Sequence, residues 1–593
     1  MIEKIRGING SINRIFQDPL LFVALLFLIA QLFLVYYEFI SSLNDINFWD
    51  EAIYMNWGRF LMEGKLPSLT YNPFMALFYG ILYLPFKNSP YWLIQICSIG
   101  RFLMFCLLWG SAYLLARQLK EMFHPNFMLG FLFVSPLLTE IIRNPSDAMF
   151  AVLSGLGLWQ LLKYYQNWGL KRILAASLFI GLAALSRNDG VVLFLIFLAL
   201  VIFQSVRLRT DWTTVLIGVL PFIALVGGYI LIYGVVTGDF STGISERSFI
   251  AFEQGHEGVY EGSGIHSPTV DAMLDAREVF GSAEENNNSI FRAILRNPRA
   301  YFDRLQVILR NLPAQLLNAY NKKMAILFFL FSIRGIYELV RRKKYSLLII
   351  LVSWTLFLAT YFLTFFRDGY LRMPFCIIFL LSGIGLSALY DNLGNMKERW
   401  VWSIILSVFV ISGLVFNKLA IYYGAGIFLV GLWIIYWLTT RFRTVQNIRI
   451  VGLLILFCMG LVLRGNFPSP KLPSLGVNAD ERAAQYLMEN LEPGTNVAAG
   501  SPGVVWMAKM EFLSINGPDV PEMENSEAFH QWLLGEDIEA IYMDYSISNF
   551  MPYFWELIQQ ETGVGLTEVF NENVGSNRIY LVNPVRLGGE PDD

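Results

Sequence analysis

The sequence predicts a mainly α-helical, polytopic membrane bundle of about 13 spans, followed by an external α/β domain at the C-terminus. Apolar residues make up 55% of the 593 residues and charged residues only 15%, which is too apolar for an ordinary soluble protein. The apolar residues are collected in blocks of about the 17–25 residues that a helix needs to cross a bilayer. Beyond residue 465 the blocks end and short amphipathic stretches alternate with β-like runs, which is typical of a small α/β domain.

Each apolar block is predicted to be one span. The blocks lie near 20–40, 92–116, 126–142, 148–165, 173–186, 190–206, 213–236, 324–340, 345–366, 371–390, 400–418, 420–439 and 450–464. Residues 173–206 as a single helix would be about 50 Å long, so the polar "SRNDG" at 186–190 is interpreted as a hairpin between two spans. The first block has no convincing small-residue cleavage site and is predicted to be an uncleaved span.

Positive charge predicts the orientation. With the N-terminus inside, the short basic connections all fall on the cytoplasmic side, including "RRKK" at 341–344, and the long or acidic ones fall outside. We therefore predict a transmembrane domain at 1–464, with external loops at 41–91 and 237–322, and an external soluble domain at 465–593. The protein is expected in the cell membrane with its C-terminus outside.

Two external segments have a readable pattern. A helix is predicted from Asp50 to about Met62, with an apolar face that suits the membrane interface and Gly64 as its stop. That face consists of Ile53, Tyr54, Trp57, Phe60 and Leu61. In the tail we predict helices at 478–490, 525–535 and 550–561 and strands at 495–499, 538–543 and 577–582.

Charge and cysteine content exclude some functions. The net charge of −3 indicates no nucleic-acid partner. The four cysteines all lie in apolar runs without metal-ligand spacing, so we interpret them as buried small residues.

Ionisable residues gather at the predicted external ends of the spans, and such residues near membrane depth indicate function. The four groups are Asp50 with Glu51; Glu140, Arg143 and Asp147; Arg187 with Asp189; and Arg367, Asp368, Tyr370 and Arg372. All four lie on one side of the membrane in the predicted topology, so they can converge on one cavity.

Each group also has a purely structural interpretation. Asp50 and Glu51 suit the dipole at a helix N-terminus, and Asp147 suits a helix N-cap two residues after a proline. Asp189 is a plausible turn residue before Gly190, and the arginines resemble lipid-headgroup anchors. His256 and His266 are weak metal-ligand candidates. Together, carboxylates for acid–base chemistry and arginines for an anion favour a site.

The chemistry that fits these residues is transfer of a sugar from a polyprenyl phosphate. The phosphate leaves as a good anion, so the reaction needs a carboxylate to deprotonate the acceptor and cations to stabilise the leaving phosphate. A single displacement inverts the sugar. No phosphate-binding GxxxxGK[ST] motif is present, as expected for a donor without a nucleotide.

The stretch "FWDEAIYMNWGRFLMEGKLP…YNPFMALFYGILYLPF" resembles the first external loop of the C-type (GT-C) integral-membrane glycosyltransferases. The similar branch contains protein O-mannosyltransferases and the lipid A aminoarabinose transferase. Its members share an acidic "DE" after span 1, a helix ending near "G-x-x-P" and a "PPL"-like segment. They also share an acidic residue opening span 4, a basic residue in the span 5–6 hairpin and a late "RY…P"-like motif. The positions that match are Asp50-Glu51, Tyr71-Asn72-Pro73-Phe74, Asp147, Arg187 and Tyr370/Pro374.

The resemblance implies a GT-C fold and roles for individual residues. Asp50 becomes the catalytic base and Glu51 an assisting or orienting group, while Asp147 positions the acceptor or a divalent metal. The resemblance assigns the donor phosphate to Arg187, and the charge pattern adds Arg367, Arg372 and Tyr370 as further phosphate-binding candidates. No cofactor is otherwise implied, and the sugar, the acceptor (protein, lipid or glycan) and the oligomeric state stay open.

The sequence departs from the branch in informative places. Asn72 stands where the aminoarabinose transferase has a lysine, and Ile53 replaces an arginine, which argues against lipid A as the acceptor. The "WWDYG" of oligosaccharyltransferases is absent, which argues against transfer of a whole glycan. The general expectation is mannosyltransferase-like glycosylation in the cell envelope.

Two other functions fit the composition. A transporter or flippase for lipid-linked sugars would carry polar residues at mid-span or internal repeats, whereas here they gather at one face. A sensor would carry its function in the tail, which contains no recognisable motif.

Overall fold

The structure is a computed structural model, and its described residues cover most of the chain. They are 19–35, 49–65, 73–135, 137–209, 212–238, 240, 244–256, 268–320, 322–391, 479–515, 525–543, 547, 551–572 and 577–583. The three predicted spans between 400 and 464, and the predicted domain boundary at 465, lie outside these residues.

The chain up to residue 391 is helical throughout its described parts. Its α-helices are Pro19–Val35, Trp49–Met62, Pro73–Tyr83, Trp92–Gln118, Pro125–Val134, Leu137–Ile142, Pro145–Gln166, Leu170–Ser186, Asp189–Leu208, Trp212–Phe222, Gly228–Thr237, Ile244–Gln254, Pro268–Phe280, Ile290–Arg296, Pro298–Ala319, Lys322–Arg341, Tyr345–Trp354, Thr360–Leu363 and Phe375–Asp391. A π-helical turn at Ile223–Gly227 joins two of them, and 3₁₀ turns lie at Leu84–Phe86, Leu356–Ala359 and Asp368–Arg372.

Four helices in the described chain are long and apolar enough to cross a membrane. They are Trp92–Gln118, Asp189–Leu208, Trp212–Val236 and Tyr345–Leu363. Shorter apolar helices lie at Leu20–Phe33, Pro73–Phe86 and Phe375–Leu389. The chain is therefore a mainly helical membrane protein, while the number of about 13 spans stays a prediction.

Local sequence explains where two of the helices are interrupted. The predicted hairpin at 186–190 is confirmed, because one helix ends at Ser186 and the next begins at Asp189. The apolar block at 126–142 is two helices rather than one, with Ser135 in an extended conformation between them. Ser135 precedes Pro136, and a residue before proline is disfavoured in the α region.

The helix predicted to begin at Asp50 is present as Trp49–Met62, and Gly64 follows it with φ of +81°. Its predicted placement at the membrane interface stays a prediction, and protein covers only part of the helix. Ala52, Ile53, Tyr54 and Met55 are all buried, so one turn is enclosed by protein on every side. Of the face that the sequence pattern assigned to the interface, Ile53 and Tyr54 are buried against neighbouring helices, whereas Trp57, Phe60 and Leu61 are only half-buried.

The closest neighbour of this helix is Pro73–Tyr83, in the same predicted external loop. The two helices cross at Gly58 and Gly80, where a Cβ on Gly58 would lie 2.5 Å from the backbone nitrogen of Gly80. No side chain fits at this crossing, so the two glycines allow the helix backbones to touch.

The predicted external loop at 237–322 contains four helices that the sequence pattern did not reveal. They are Ile244–Gln254, Pro268–Phe280, Ile290–Arg296 and Pro298–Ala319. Phe249, Phe252, Phe280, Ala293 and Tyr301 form a small hydrophobic core of their own among these helices.

The C-terminal part is an α/β unit around one five-stranded sheet. Its strands are β1 (Asn496–Ala499), β2 (Glu511–Ser514), β3 (Ala540–Met543), β4 (Leu566–Glu572) and β5 (Asn577–Val582), in the order β2-β1-β3-β5-β4. β1 pairs in parallel with β2 and β3, whereas β5 pairs antiparallel with β3 and β4. The helices are Ala479–Asn490, Gly503–Met507, Ser526–Gly535 and Pro552–Glu561.

The two faces of this sheet pack against different partners. Ala498, Ile541 and Tyr580 point into a core shared with the Ser526–Gly535 and Pro552–Glu561 helices. Val497 and Tyr542, which alternate with them, belong to the hydrophobic core that continues into the membrane helices. The short Gly503–Met507 helix makes this contact, since it packs against Trp49–Met62 and Trp92–Gln118.

Candidate functional site

Arg187 lies at the centre of a polar cluster built from three separate parts of the chain. Its Nη1 group pairs with Asp147 and its Nε group with Asp189, at 3.0 Å. Its Nη2 group donates to the hydroxyl of Tyr361 at 3.2 Å. The Tyr361 hydroxyl in turn donates to Asp189 at 2.5 Å, and Thr360 donates to the other oxygen of Asp189 at 3.2 Å. Residues 147, 187 and 361 are therefore held in one connected network.

Aromatic rings close one side of this cluster. Tyr370 stacks on Tyr361 with ring centroids 4.2 Å apart, and the Arg187 guanidinium lies 5.0 Å from the centroid of the Tyr370 ring. A guanidinium over a tyrosine face gains from a cation–π interaction, most of all where water is excluded. The side chain of Arg187 is only 16% exposed, so this contact and the two carboxylates fix its orientation.

The surroundings keep Arg187 charged and Tyr370 neutral. Burial lowers the pKa of Arg187, but Asp147, Tyr361 and Asp189 raise that pKa, and the net result is a pKa well above the ordinary value. Burial raises the pKa of Tyr370, although Arg187 opposes this effect. At neutral pH the cluster therefore presents a fixed cation beside a neutral phenol that can donate a hydrogen bond.

Arg372 belongs to a second, more open cluster. Its Nη1 group lies 3.4 Å from a carboxylate oxygen of Glu140, and its Nη2 group lies 3.5 Å from Asp368. Its Nε group donates to the carbonyl of Ala319 at 3.3 Å. Arg143 also approaches Glu140, at 3.6 Å. These long distances indicate weak pairs that can exchange one partner for another anion.

Arg367 is the most open of the predicted phosphate-binding arginines. Its side chain is exposed and its guanidinium lies 5.5 Å from the centroid of the Phe365 ring. Within the described residues, no carboxylate lies within 4.0 Å of Arg367.

Glu51 is placed very differently from the expected assisting role. Its side chain is completely buried, and both of its oxygens have partners. The Nη2 group of Arg101 donates to Oε2 at 2.5 Å, while the Nε group of Arg101 and the hydroxyl of Tyr79 donate to Oε1 at 3.3 and 3.1 Å. Glu51 thus anchors the start of its helix to the Trp92–Gln118 and Pro73–Tyr83 helices.

Asp50 lies in the first turn of the same helix, next to this anchor. Its side chain lies outside the described part of the structure, so its predicted role as the base stays a prediction.

The N-cap interpretation of Asp147 is wrong, whereas Asp189 does lie in a turn, closed by the bond from the Gly190 N–H to the Arg187 carbonyl at 3.0 Å. The Pro145–Gln166 helix has Asn144, not Asp147, at its N-cap, and the Asp147 carboxylate bonds Arg187 instead. Asp189 is the first residue of its helix and directs its carboxylate to Arg187 and Tyr361.

Sequence reasoning missed three residues of the site. Arg101 was overlooked although it is an arginine inside an apolar run, which is itself a signal of function or of a buried partner. Tyr79 and Tyr361 carried no signal, since tyrosines are common throughout this sequence and only their tertiary contacts distinguish them.

The described part of the chain contains no group of side chains that could bind a divalent metal. No three His, Cys, Asp or Glu side chains there come together as a metal site requires. Asp147 and Asp189 both face Arg187, whose positive charge opposes a metal ion at the same place. We therefore derive no step through a metal.

Comparisons with known proteins identify the architecture. No protein-family model matches the chain, and no curated protein sequence matches it. Among solved structures, the chain is similar to ArnT from Cupriavidus metallidurans bound to undecaprenyl phosphate, with a TM-score of 0.53, 13% identity, and coverage of 97% of this chain and 99% of that chain. It is also similar to the archaeal oligosaccharyltransferase AglB from Archaeoglobus fulgidus, in complex with an inhibitory peptide and a dolichol-phosphate, with a TM-score of 0.50, 11% identity, and coverage of 96% and 74%.

Both proteins are GT-C glycosyltransferases, and ArnT is a lipid A aminoarabinose transferase. The match extends over nearly the whole of the chain, including its C-terminal α/β unit. The expectation drawn from the first external loop is thus confirmed at the level of architecture: the chain has the GT-C fold.

Proposed function

We propose that the protein is an inverting glycosyltransferase that moves a sugar from a polyprenyl-phosphate donor to an acceptor at the external face of the membrane. The observation that carries the proposal is the Asp147–Arg187–Asp189 cluster, closed by Tyr361 and Tyr370, within a GT-C fold. The ArnT structure was bound to undecaprenyl phosphate and the AglB structure to a dolichol-phosphate, which supports a lipid-linked phosphate as the donor here.

The open arginines are the best candidates for the donor phosphate. Arg367 is exposed and Arg372 holds its carboxylates only at 3.4 and 3.5 Å, so both can turn to a phosphate at small cost. Arg187 is already engaged by two carboxylates and a hydroxyl, and a guanidinium has five N–H donors. We assign to Arg187 a fixed positive field near the phosphate, with Tyr370 as a neutral donor beside it.

The acceptor side of the reaction needs a base. We retain Asp50 for this role, and we assign to Glu51 a positioning role because Arg101 and Tyr79 occupy both of its oxygens. Asp147 is held by Arg187 and Asn144, so it is proposed to orient the acceptor rather than to take its proton. The base removes the acceptor proton while the acceptor atom forms a bond to the anomeric carbon of the sugar. The bond from that carbon to the phosphate breaks at the same time, and the phosphate departs as an anion beside the arginines.

Transfer of a radiolabelled sugar from a synthetic polyprenyl-phosphate sugar to membrane acceptors tests the reaction. Asp50→Asn should lower turnover by roughly 100- to 10,000-fold, the usual loss of a general base, while donor binding is kept. Glu63→Gln is the matched control, since it changes an exposed carboxylate just after the C-terminal end of the same helix. Wild-type turnover in Asp50→Asn would remove Asp50 from the mechanism. The proposed function would be overturned if the folded wild-type protein neither binds the donor nor transfers its sugar.

Donor binding separates the arginines. Arg367→Gln should weaken binding of the polyprenyl-phosphate sugar, whereas Arg209→Gln, an exposed arginine on the predicted opposite side, should not. Equal affinities of the two variants would limit Arg367 to a lipid anchor.

The proposed sidedness and domain boundary are tested together. Protease added to right-side-out vesicles should release a soluble C-terminal fragment that begins between 465 and 478. Protection of the fragment there, with cleavage only from the inside, would invert the proposed topology.

A further inference from the structure

We propose that the helix pair Ile290–Arg296 and Pro298–Ala319 lies on the membrane surface, with its apolar side chains inserted among lipids and its exposed arginines at anionic headgroups. This surface consists of Phe291, Leu295, Phe302 and Leu309 with Arg292, Arg299 and Arg310. The proposal does not depend on the proposed reaction.

The apolar side chains of this surface are unusually exposed. Phe291 is 70% exposed, Leu295 77% and Phe302 65%. These values match those of the spanning candidate Trp212–Val236, where Leu216 is 65% and Val235 70% exposed. In a membrane protein, side chains of this size and exposure are stable in lipid but costly in water.

The spacing of these residues gives each helix one apolar edge. Phe291 and Leu295 are four residues apart, and Phe302 and Leu309 are seven apart, so each pair lies on one side of its helix. Asp303 and Arg310 lie about 80–100° around the helix from Phe302, where they can stay in the headgroup region.

Charge favours a membrane surface over a protein partner. Arg292, Arg299 and Arg310 are exposed, and none of them has an ion pair with a carboxylate in the described part of the chain. Asp303 is the one acidic residue between 290 and 319. Aromatic and aliphatic side chains on one face, with arginines beside them, are the pattern of helices that lie on anionic bilayers.

The inner face of the longer helix connects this surface to the candidate site. Tyr301 donates to the carbonyl of Phe362 at 3.1 Å, one residue from Tyr361. Arg304 donates to the carbonyl of Phe252 at 2.9 Å, and the helix also packs against the 3₁₀ turn Asp368–Arg372. A helix held on the bilayer surface would therefore hold the Tyr361–Arg372 segment at the same level.

Spin labels in the full-length protein test the proposal. Phe302→Cys and Asp303→Cys are matched neighbours at one level of the helix, about 100° apart. Both are labelled in nanodiscs that contain anionic lipid, and wild-type protein treated with the same label gives the background from the four native cysteines. We expect the label at 302 to collide more often with oxygen than with a water-soluble nickel chelate, and the label at 303 to show the reverse.

Leu309→Cys should behave like Phe302→Cys. Greater access of nickel than of oxygen at 302 and 309 would overturn the proposal, because both side chains would then face water. Poor access of both reagents at 302 and 309 would also overturn it, because protein would then cover the face.

A second comparison tests the role of charge. In purely zwitterionic nanodiscs the oxygen preference at 302 should fall, and the Arg299→Gln/Arg310→Gln variant should lose the difference between the two lipids. If the oxygen preference of the label at 302 changes neither with lipid charge nor with the loss of these arginines, the assignment of anionic headgroups would be overturned.

Discussion

The buried ion pair between Arg101 and Glu51 allows a quantitative test of how the helix bearing Asp50 is held in place. The side chains of Arg101 and Glu51 are 2% and 0% exposed, and two N–H groups of Arg101 bond the carboxylate. In Arg101→Met, Glu51 keeps the Tyr79 hydroxyl but loses its charge partner. Removal of one member of a buried pair costs about 3–5 kcal/mol because the other charge stays desolvated, so we expect the free energy of unfolding to fall by about that amount.

Reversible unfolding of the purified protein in mixed micelles, followed by tryptophan fluorescence, measures this change. Arg207→Met is the matched control: Arg207 lies near the end of Asp189–Leu208 and bonds the Ser346 hydroxyl at the surface, at 2.9 Å. Exposed polar contacts of this kind contribute about 0–1 kcal/mol. The double variant Arg101→Met/Glu51→Gln should recover most of the loss, because neither remaining side chain carries a buried charge.

Two results would refute this reasoning. A cost under about 1 kcal/mol for Arg101→Met would mean that Glu51 is not held as a desolvated charge. A double variant as unstable as the single one would mean that Arg101 stabilises the fold through its other contacts rather than through Glu51.

Further predictions concern packing and pH. Gly58→Ala should lower the yield of folded protein, because its Cβ would meet the backbone of Gly80 at 2.5 Å. The control Gly110→Ala places its Cβ where nothing lies within 4 Å, so it should be neutral or stabilise the protein by up to about 1 kcal/mol. Equal effects of the two variants on the yield would refute the tight helix crossing. Burial lowers the pKa of His256 from 6.5, although the partner Asp275 opposes this, so the unfolded chain binds the proton more readily and stability should be lost as the pH falls below about 6.5. Hydrogen exchange of 244–280, corrected for intrinsic rates, should show this loss in wild type and not in His256→Gln.

Hydrophobic pattern and turn chemistry were sufficient for much of the fold. The helices predicted at 478–490, 525–535 and 550–561 agree with Ala479–Asn490, Ser526–Gly535 and Pro552–Glu561 to within a few residues. The strands β2 and β4 were missed, because both lie at edges of the sheet, where fewer apolar side chains mark a strand. The helices of the loop at 237–322 were also missed, since a mostly polar segment carries a weak periodic signal.

For the candidate site too, the sequence predicted some features and missed others. Sequence position and predicted sidedness selected Asp147, Arg187 and Tyr370, and the structure places Asp147 and Tyr370 against Arg187. The sequence did not show that Glu51 is buried, because its partner Arg101 lies 50 residues away on another helix. Contacts of this kind depend on helix packing and not on local pattern.

The sequence by itself determined that this is a helical membrane protein, where many of its helices begin and end, and which ends of those helices carry its ionisable residues. These features follow from local causes: apolar length, proline and glycine positions, and the cost of charge in lipid. Only the tertiary structure decided which of those residues pair, that Glu51 to Asn56 of the Trp49–Met62 helix are enclosed by protein, and that Phe302 and its neighbours are left exposed. The physical reason is that burial and pairing are properties of several segments brought together, so a helix with one apolar face is equally compatible with lipid and with a protein neighbour until packing places it.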